Sequence, residues 1–321
     1  MDLKRSIPWL AIAAVTVSGC AKAQMPAADY PSGTVRIVSP FAAGSLSDTA
    51  ARVAAECLEQ DLDATFVVEN RDGGGGAIGM TEVARAEPNG RVLAVATVGA
   101  AALVPQVTQG AEYTGASFAP IYGLTLYNSV LVVAGNSPYQ DIHAFLDAAK
   151  KSDRDFSVAM AGAKGAQSLT MNSITKAGGP RFANVPFASP DEVTASVLGG
   201  GADSAFMSLS PGVIKRVDRG ELRILATGSE QPIASMPGVP TFDAVGFPDL
   251  PTSDASVMLL GPTGLPQEIQ DVLAKSMGTC MQSEKATTAL GEYVRKDQAG
   301  PESMRNELTT SEAQWREAIG Q

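Results

Sequence analysis

One rhythm runs along the chain: a short apolar run, a turn marked by glycine or serine, then a stretch with apolar positions three and four apart. Residues 34–39 (TVRIVS) form a β-rich run, and after a glycine-containing turn Ser47 and Asp48 can cap a helix with an apolar face of Ala50, Val53, Ala54, Cys57 and Leu58. The rhythm repeats with a strand at 65–69, a loop over 70–76 and a helix to about residue 86, then again with the apolar strand 92–96. Strands this uniformly apolar suit a parallel sheet covered by helices on both faces.

After Tyr127 the rhythm restarts. Strands are expected at 130–134 and 156–160, with a helix from Asp141 through Ala149 and another over 165–177. Ser189, Pro190, Asp191 and Glu192 supply a capping box with proline at the first helical position, and Ser210-Pro211 repeats that start before a helix ending near Gly220. A strand at 222–226 and a Pro/Gly-rich stretch over 232–251 lead to an apolar strand at 256–260 and two terminal helices, 266–282 and 301–319.

Length and charge narrow the function. At roughly 100–200 residues per domain, 321 residues suggest two domains, each able to bury a core. The 24 basic against 34 acidic residues give a net charge of −10, which leaves no global basic footprint for a phosphate backbone. With His143 as the only histidine, a His-rich zinc site or a Ser-His-Asp triad is hard to assemble.

Residues 1–23 read as a targeting segment. Lys4 and Arg5 precede an apolar run over 7–18, which is shorter than the ~20 residues of a membrane-spanning helix. Two processing sites overlap: Val17-Ser-Gly-Cys20 is a lipobox with Cys20 as lipid acceptor, and Ala21-Lys-Ala23 is an ordinary secretory A-x-A site. Cleavage after residue 23 removes Lys4, Arg5, Lys22 and Asp2, leaving 21 basic and 33 acidic residues and a net charge of −12. Either route leaves Cys57 and Cys280 in the exported body, where they can form one disulfide or remain two buried thiols.

The segment from Gly74 to Gly79 matches the G-x-G-x-x-G dinucleotide fingerprint, after a strand and at the start of a helix. The fingerprint also needs an acidic residue about 20 positions on to hold a ribose, and residues 92–103 contain none. What remains is a glycine loop that lets backbone N–H groups approach an anion, or else a plain surface turn.

The strand and turn at 38–48 (VSPFAAGSLSD), the segment at 68–79 (VENRDGGGGAIG) and the following VARAEPNG at 83–90 resemble, in that order, the tripartite tricarboxylate transporter substrate-binding family, the Bug-type solute receptors. Further similarities are NVPF at 184–187, LGG at 198–200, GELRILA at 220–226, PGVPT at 237–241 and GPTGLP at 261–266, so the resemblance spans the chain from about Tyr30 to its end. It implies an α/β, two-lobed periplasmic binding protein of type II-like form: two α/β domains joined by two crossovers near Tyr127 and Asp254. The first lobe would comprise 30–126 and 255–321, the second 127–254. A small di-, tri- or aromatic carboxylate would be closed between them and handed to a tripartite tricarboxylate-type permease, without catalysis or cofactor. A receptor that presents its ligand to a sensor is the alternative, with a nucleotide-dependent α/β enzyme behind it.

Carried over residue by residue, the resemblance places Phe41, Ala43, Gly44 and Ser45 of the first turn, Gly73 and Gly74 of the glycine loop, and Gly162, Lys164, Gly165, Phe187 and Met207 of the second lobe at the ligand site. Several positions depart from the family pattern. Ser45 replaces a glycine and adds a hydroxyl; Asp72 replaces a proline and adds negative charge; Ser168 stands where histidine is usual; and Met207 stands near a usual acid, which disfavours a ligand amine. Lys164 is either a solvated loop cation or the partner of a second ligand carboxylate, and Met207 either a core residue or a cleft residue. Asp48 is read as a helix cap and His143 as lying away from the site. The chain would reside in the periplasm, free or lipid-tethered, with no nucleic-acid partner.

Overall fold

The structure is a computed structural model that describes residues 30–31, 33–161, 165–187, 189–295 and 299–320. The targeting segment, Cys20, Gly162 and Lys164 lie outside the described residues. Two α/β domains are built on two five-stranded sheets. In the first, β1 (Val35–Ser39), β2 (Phe66–Asn70), β3 (Val92–Thr97), β4 (Phe118–Tyr127) and β10 (Ala255–Pro262) lie in the order β2-β1-β3-β10-β4. In the second, β5 (Ser129–Ala134), β6 (Phe156–Ala161), β7 (Phe182–Phe187), β8 (Ser204–Ser208) and β9 (Leu222–Thr227) lie in the order β7-β6-β8-β5-β9.

Both sheets are mixed, which corrects the expectation of a parallel sheet. β1 pairs parallel with β2 and β3, but β10 runs antiparallel to β3 and β4; β6 pairs parallel with β7 and β8, but β5 runs antiparallel to β8 and β9. The crossovers explain the exceptions. The chain passes from Tyr127 to Ser129 between the sheets and returns through Ser253 and Asp254, so β5 and β10 each begin at the edge facing the other domain and must run away from it. Strands β4, β7 and β8 add to those the apolar pattern predicts. Pro120 in β4 and Pro186 in β7 argue against strands, yet both strands are sheet edges, where a residue without an N–H is tolerated.

Helices cover both faces of each sheet. On the first, α1 (Leu46–Leu62), α8 (Gln267–Met281) and α9 (Glu284–Leu290) bury Ala54, Leu58, Leu273 and Met277 with Ile37, Leu93 and Leu259. The opposite face takes α2 (Ala77–Ala84), the π-helical turn Gly99–Leu103 that continues into α3 (Val104–Val107), and α10 (Pro301–Ile319), whose Met304, Leu308 and Trp315 pack with Val38, Ala96 and Met258. On the second sheet, α4 (Ile142–Lys151) and α5 (Ala166–Lys176) pack around Phe145, Met160 and Phe206, while α6 (Pro190–Leu198) and α7 (Pro211–Asp218) pack around Val132, Val193 and Met207.

Ser189 and Ser210 cap α6 and α7 as expected, accepting from the N–H groups of Glu192 and Val213, with proline in each first turn. At α1 the cap is Ser45, not Ser47 or Asp48: its hydroxyl accepts from the Asp48 N–H at 3.2 Å. Cys57 of α1 and Cys280 of α8 form a disulfide with their Cα atoms 5.8 Å apart, joining two helices on the same face of the first sheet.

Candidate functional site

The parallel register that sets Ser39 opposite Asn70 also sets the turn at 41–45 beside the glycine loop at 73–76, both at the C-terminal edge of the first sheet. Ligands of open α/β sheets bind outside such carboxyl ends. The Asn70 amide donates to the Phe41 carbonyl at 2.9 Å. Gly73, Gly74, Gly75 and Gly76 all hold left-handed φ values (+127°, +61°, +70° and +102°), a run closed to ordinary side chains. Gly79, the last glycine of the dinucleotide-like pattern, is a packing residue: a Cβ there would lie 2.9 Å from the Arg71 carbonyl and 3.1 Å from Pro40, so the glycine lets α2 close onto the β1 turn.

Asp48 organises this edge, a role its reading as a cap missed. Its carboxylate is buried and accepts from the Gly44 N–H at 2.8 Å, the Asn70 amide at 2.9 Å, and Arg52 at 3.1 Å (Nε) and 3.0 Å. Burial pushes its pKa up, but the hydrogen bonds from Arg52, Gly44 and Asn70 outweigh that and hold it below the usual carboxylate range. The Gly44 N–H is therefore already taken. Among the described residues the N–H groups of Ala43, Gly74 and Gly75 donate to no protein acceptor, and all three residues are exposed. Asn70 could not be found from local pattern, because it reaches Asp48 across 22 positions through strand pairing, whereas Arg52 stands four positions from Asp48 on α1, a spacing the sequence does display.

In the second lobe Ala161 is in register with Phe187, and Gly165 precedes α5 as its N-terminal flank. Ser168, in the position expected of a histidine, is buried and turns its hydroxyl back to the Gly165 carbonyl at 2.8 Å. The first turn of α5 faces the first lobe: Ala166 and Leu169 pack against the cluster that also receives Phe41. Met207, next to the carboxyl end of β8 in the same parallel register, turns its side chain inward. It is 6% exposed and belongs to the core cluster of Val130, Val132 and Val193, against which Phe187 also packs half-buried. His143 is exposed on α4, away from these loops.

A cavity of about 580 Å³ opens beside the two crossovers and is lined by none of the residues chosen from sequence. Its wall includes Asn128, Ser229, Asp254, Arg295, Glu307 and Trp315. Asp254 accepts from the Ser129 N–H at 2.8 Å, the Ser229 hydroxyl at 2.9 Å and the Asn128 amide at 3.3 Å. Desolvation raises its pKa to about 6 against the pull of those donors, and the charge of Glu307 adds to the rise. The sequence signal is a polar pair at the entry to each strand that follows a crossing: Asn128-Ser129, whose serine opens β5, and Ser253-Asp254, directly before β10. Among the described residues no cluster of three His, Cys, Asp or Glu could hold a metal, and no helix is long and apolar enough to cross a membrane.

The chain is 28% identical over 245 residues to a UPF0065 protein of Bordetella bronchiseptica, covering 76% of this chain and 72% of that one. It is 27% identical over 284 residues to a UPF0065 protein of the gbd 5′ region of Cupriavidus necator, covering 86% and 85%. Among solved structures, the periplasmic binding protein BugD superposes with a TM-score of 0.72 at 26% identity, covering 90% of this chain and 97% of that one. The same fold recurs at lower identity in two Rhodopseudomonas palustris proteins. MatC with bound malate has a TM-score of 0.73 at 22% identity and 90% and 100% coverage; Rpa4515 with adipate has 0.75 at 23% and 91% and 97%. The profile of the tripartite tricarboxylate transporter family receptor matches residues 50–311. With two α/β domains around facing loop edges and this match over most of its length, the chain belongs to the tripartite tricarboxylate transporter receptor family.

Proposed function

We propose that this chain is an extracytoplasmic receptor that captures a small di-, tri- or aromatic carboxylate between a first lobe of residues 30–126 and 255–321 and a second lobe of residues 127–254, and delivers it to a tripartite tricarboxylate-type permease. The observation that carries this reading is the exposed, unsatisfied set of N–H donors at Ala43, Gly74 and Gly75, opposite the first turn of α5. Malate and adipate in structures of the same fold support an acid as ligand. Phe41 and the Ser45 hydroxyl complete the first-lobe contacts; Gly165, Gly162 and Lys164 supply the opposing loop, with Lys164 as partner of a second carboxylate. Export by residues 1–23, with Cys20 as the alternative lipid-acceptor site, would place the receptor in the periplasm.

The test is a thermal-shift panel of dicarboxylates, tricarboxylates, aromatic acids and amino acids on the chain from residue 24 onward. A dicarboxylate at about 100 times its dissociation constant adds about 2.7 kcal/mol and raises the melting temperature, with no product formed. A panel on which no acid moves the melting temperature overturns the reading.

A further inference from the structure

The two crossovers share a buried polar cluster built around one carboxyl group. Asp254 lies on the second crossover, and its three donors belong to other segments: Asn128 and Ser129 on the first crossover, and Ser229 just after β9. Around it the Ser129 hydroxyl donates to the Ser253 carbonyl, and the Thr227 hydroxyl lies 2.9 Å from both the Ser129 carbonyl and the Ser229 hydroxyl. One carboxyl group thus joins both crossovers and the end of β9.

The charges facing it do not balance it. From the segment before α10 comes Arg295, committed to Glu307 at 2.7 Å and to the Ser256 hydroxyl at 2.8 Å. From α10 comes Glu307 itself, and from the segment after β9 the exposed Glu230. At the first crossover the one titratable side chain is Tyr127, stacked on the Tyr293 ring with centroids 4.3 Å apart, and among the described residues Asp254 forms no ion pair. An ionised carboxylate here can gain solvation only from the cavity of about 580 Å³ that it lines.

We propose that Asp254 is a proton-operated hinge element: neutral, it fastens the two crossovers in the arrangement seen here, and ionised, it draws toward cavity water and the lobes reorient. The weakest-held oxygen, Oδ2 with Asn128 at 3.3 Å, is the place for the proton. The Asn128 amide also donates to the Ser229 hydroxyl at 2.9 Å, so an amide turned over to accept that proton requires the Ser229 hydroxyl to redirect its own proton from Asp254 to Asn128. Linkage gives the sign. The raised pKa means that the arrangement seen here binds the proton more tightly than any hydrated one, so raising the pH through about 6 favours the hydrated hinge.

The test needs no ligand and therefore succeeds or fails independently of the receptor reading. Of the two tryptophans, Trp9 lies in the targeting segment, and Trp315 lines the cavity and donates its indole N–H to the Thr252 carbonyl at 3.0 Å. In the chain from residue 24 onward, Trp315 emission and the radius of gyration from X-ray scattering are followed from pH 4.5 to 8. The expected result is a coincident change in both, centred near pH 6, with emission shifting to the red as pH rises. Asp254→Asn should abolish it and hold the low-pH signal throughout. Glu307→Gln, by removing a charge that raises the Asp254 pKa, should move the midpoint to lower pH, while His143→Gln, which removes the only imidazole, should leave it in place. A flat wild-type profile, an unmoved midpoint in Glu307→Gln or a lost transition in His143→Gln overturns the proposal.

Discussion

Asp203 and Asp254 show how one residue type is given opposite acid–base behaviour by its neighbours. Asp203 is held in a fork by Arg154 at 2.7 and 2.6 Å and accepts from the Ser157 N–H at 2.8 Å and its hydroxyl at 2.7 Å. The Arg154 hydrogen bonds lead in pulling its pKa down to about 2, with the Ser157 donors adding to the pull against a rise from desolvation. Because that value lies below an ordinary aspartate, its stabilising effect is fully present above about pH 4 and is lost as pH falls through about 2. Asp203→Asn should therefore be destabilised in urea at pH 5 to 7, and the gap to wild type should close between pH 4 and 2. A gap that persists at pH 2 would mean that packing, rather than charge, sets the cost. Asp254, raised to about 6, runs the other way and lowers stability as pH rises through that value.

At the scale of elements, α1 joins folding to binding through Ser45, which caps the helix and stands at the end of the candidate turn. Ser45→Ala should cost about 1 kcal/mol of stability in denaturant titration, within the usual range for a lost N-cap. It should also weaken the best acid found on the panel, whereas Ser189→Ala, an equivalent cap on α6 in the second lobe, should cost similar stability and leave affinity unchanged. Equal affinities for both variants would remove Ser45 from the site. The sequence revealed those elements whose apolar period and punctuation agree, such as β1, α1, β3, α4 and α10. It hid β4 and β7, whose prolines are admissible only because tertiary structure makes them edges, and it could not show that β5 and β10 run against their neighbours, a consequence of where the chain crosses. The glycine loop was legible because left-handed backbone restricts residue choice at the position itself. The link of Asn70 to Asp48 was not, because its meaning lies in a strand pairing between distant positions, while Arg52, four positions from Asp48 on α1, was open to a local reading.

For the whole molecule, the Cys57–Cys280 bridge changes what the chain is topologically. Both half-cystines sit on the first domain, and the 223 positions separating them include every strand of the second. The second domain is thus a segment of a closed covalent ring, and the bridge stitches the two distant stretches that make up the first without passing through it. Were the second domain to unfold or be cut, the stitch would remain. Limited proteolysis should show this: a single cleavage between residues 58 and 279 should leave one species on a non-reducing gel and two once reductant is added. Two fragments without reductant would mean that the ring is open in the isolated protein. With the ring closed, a cut in the inserted domain need not release the other half of the chain.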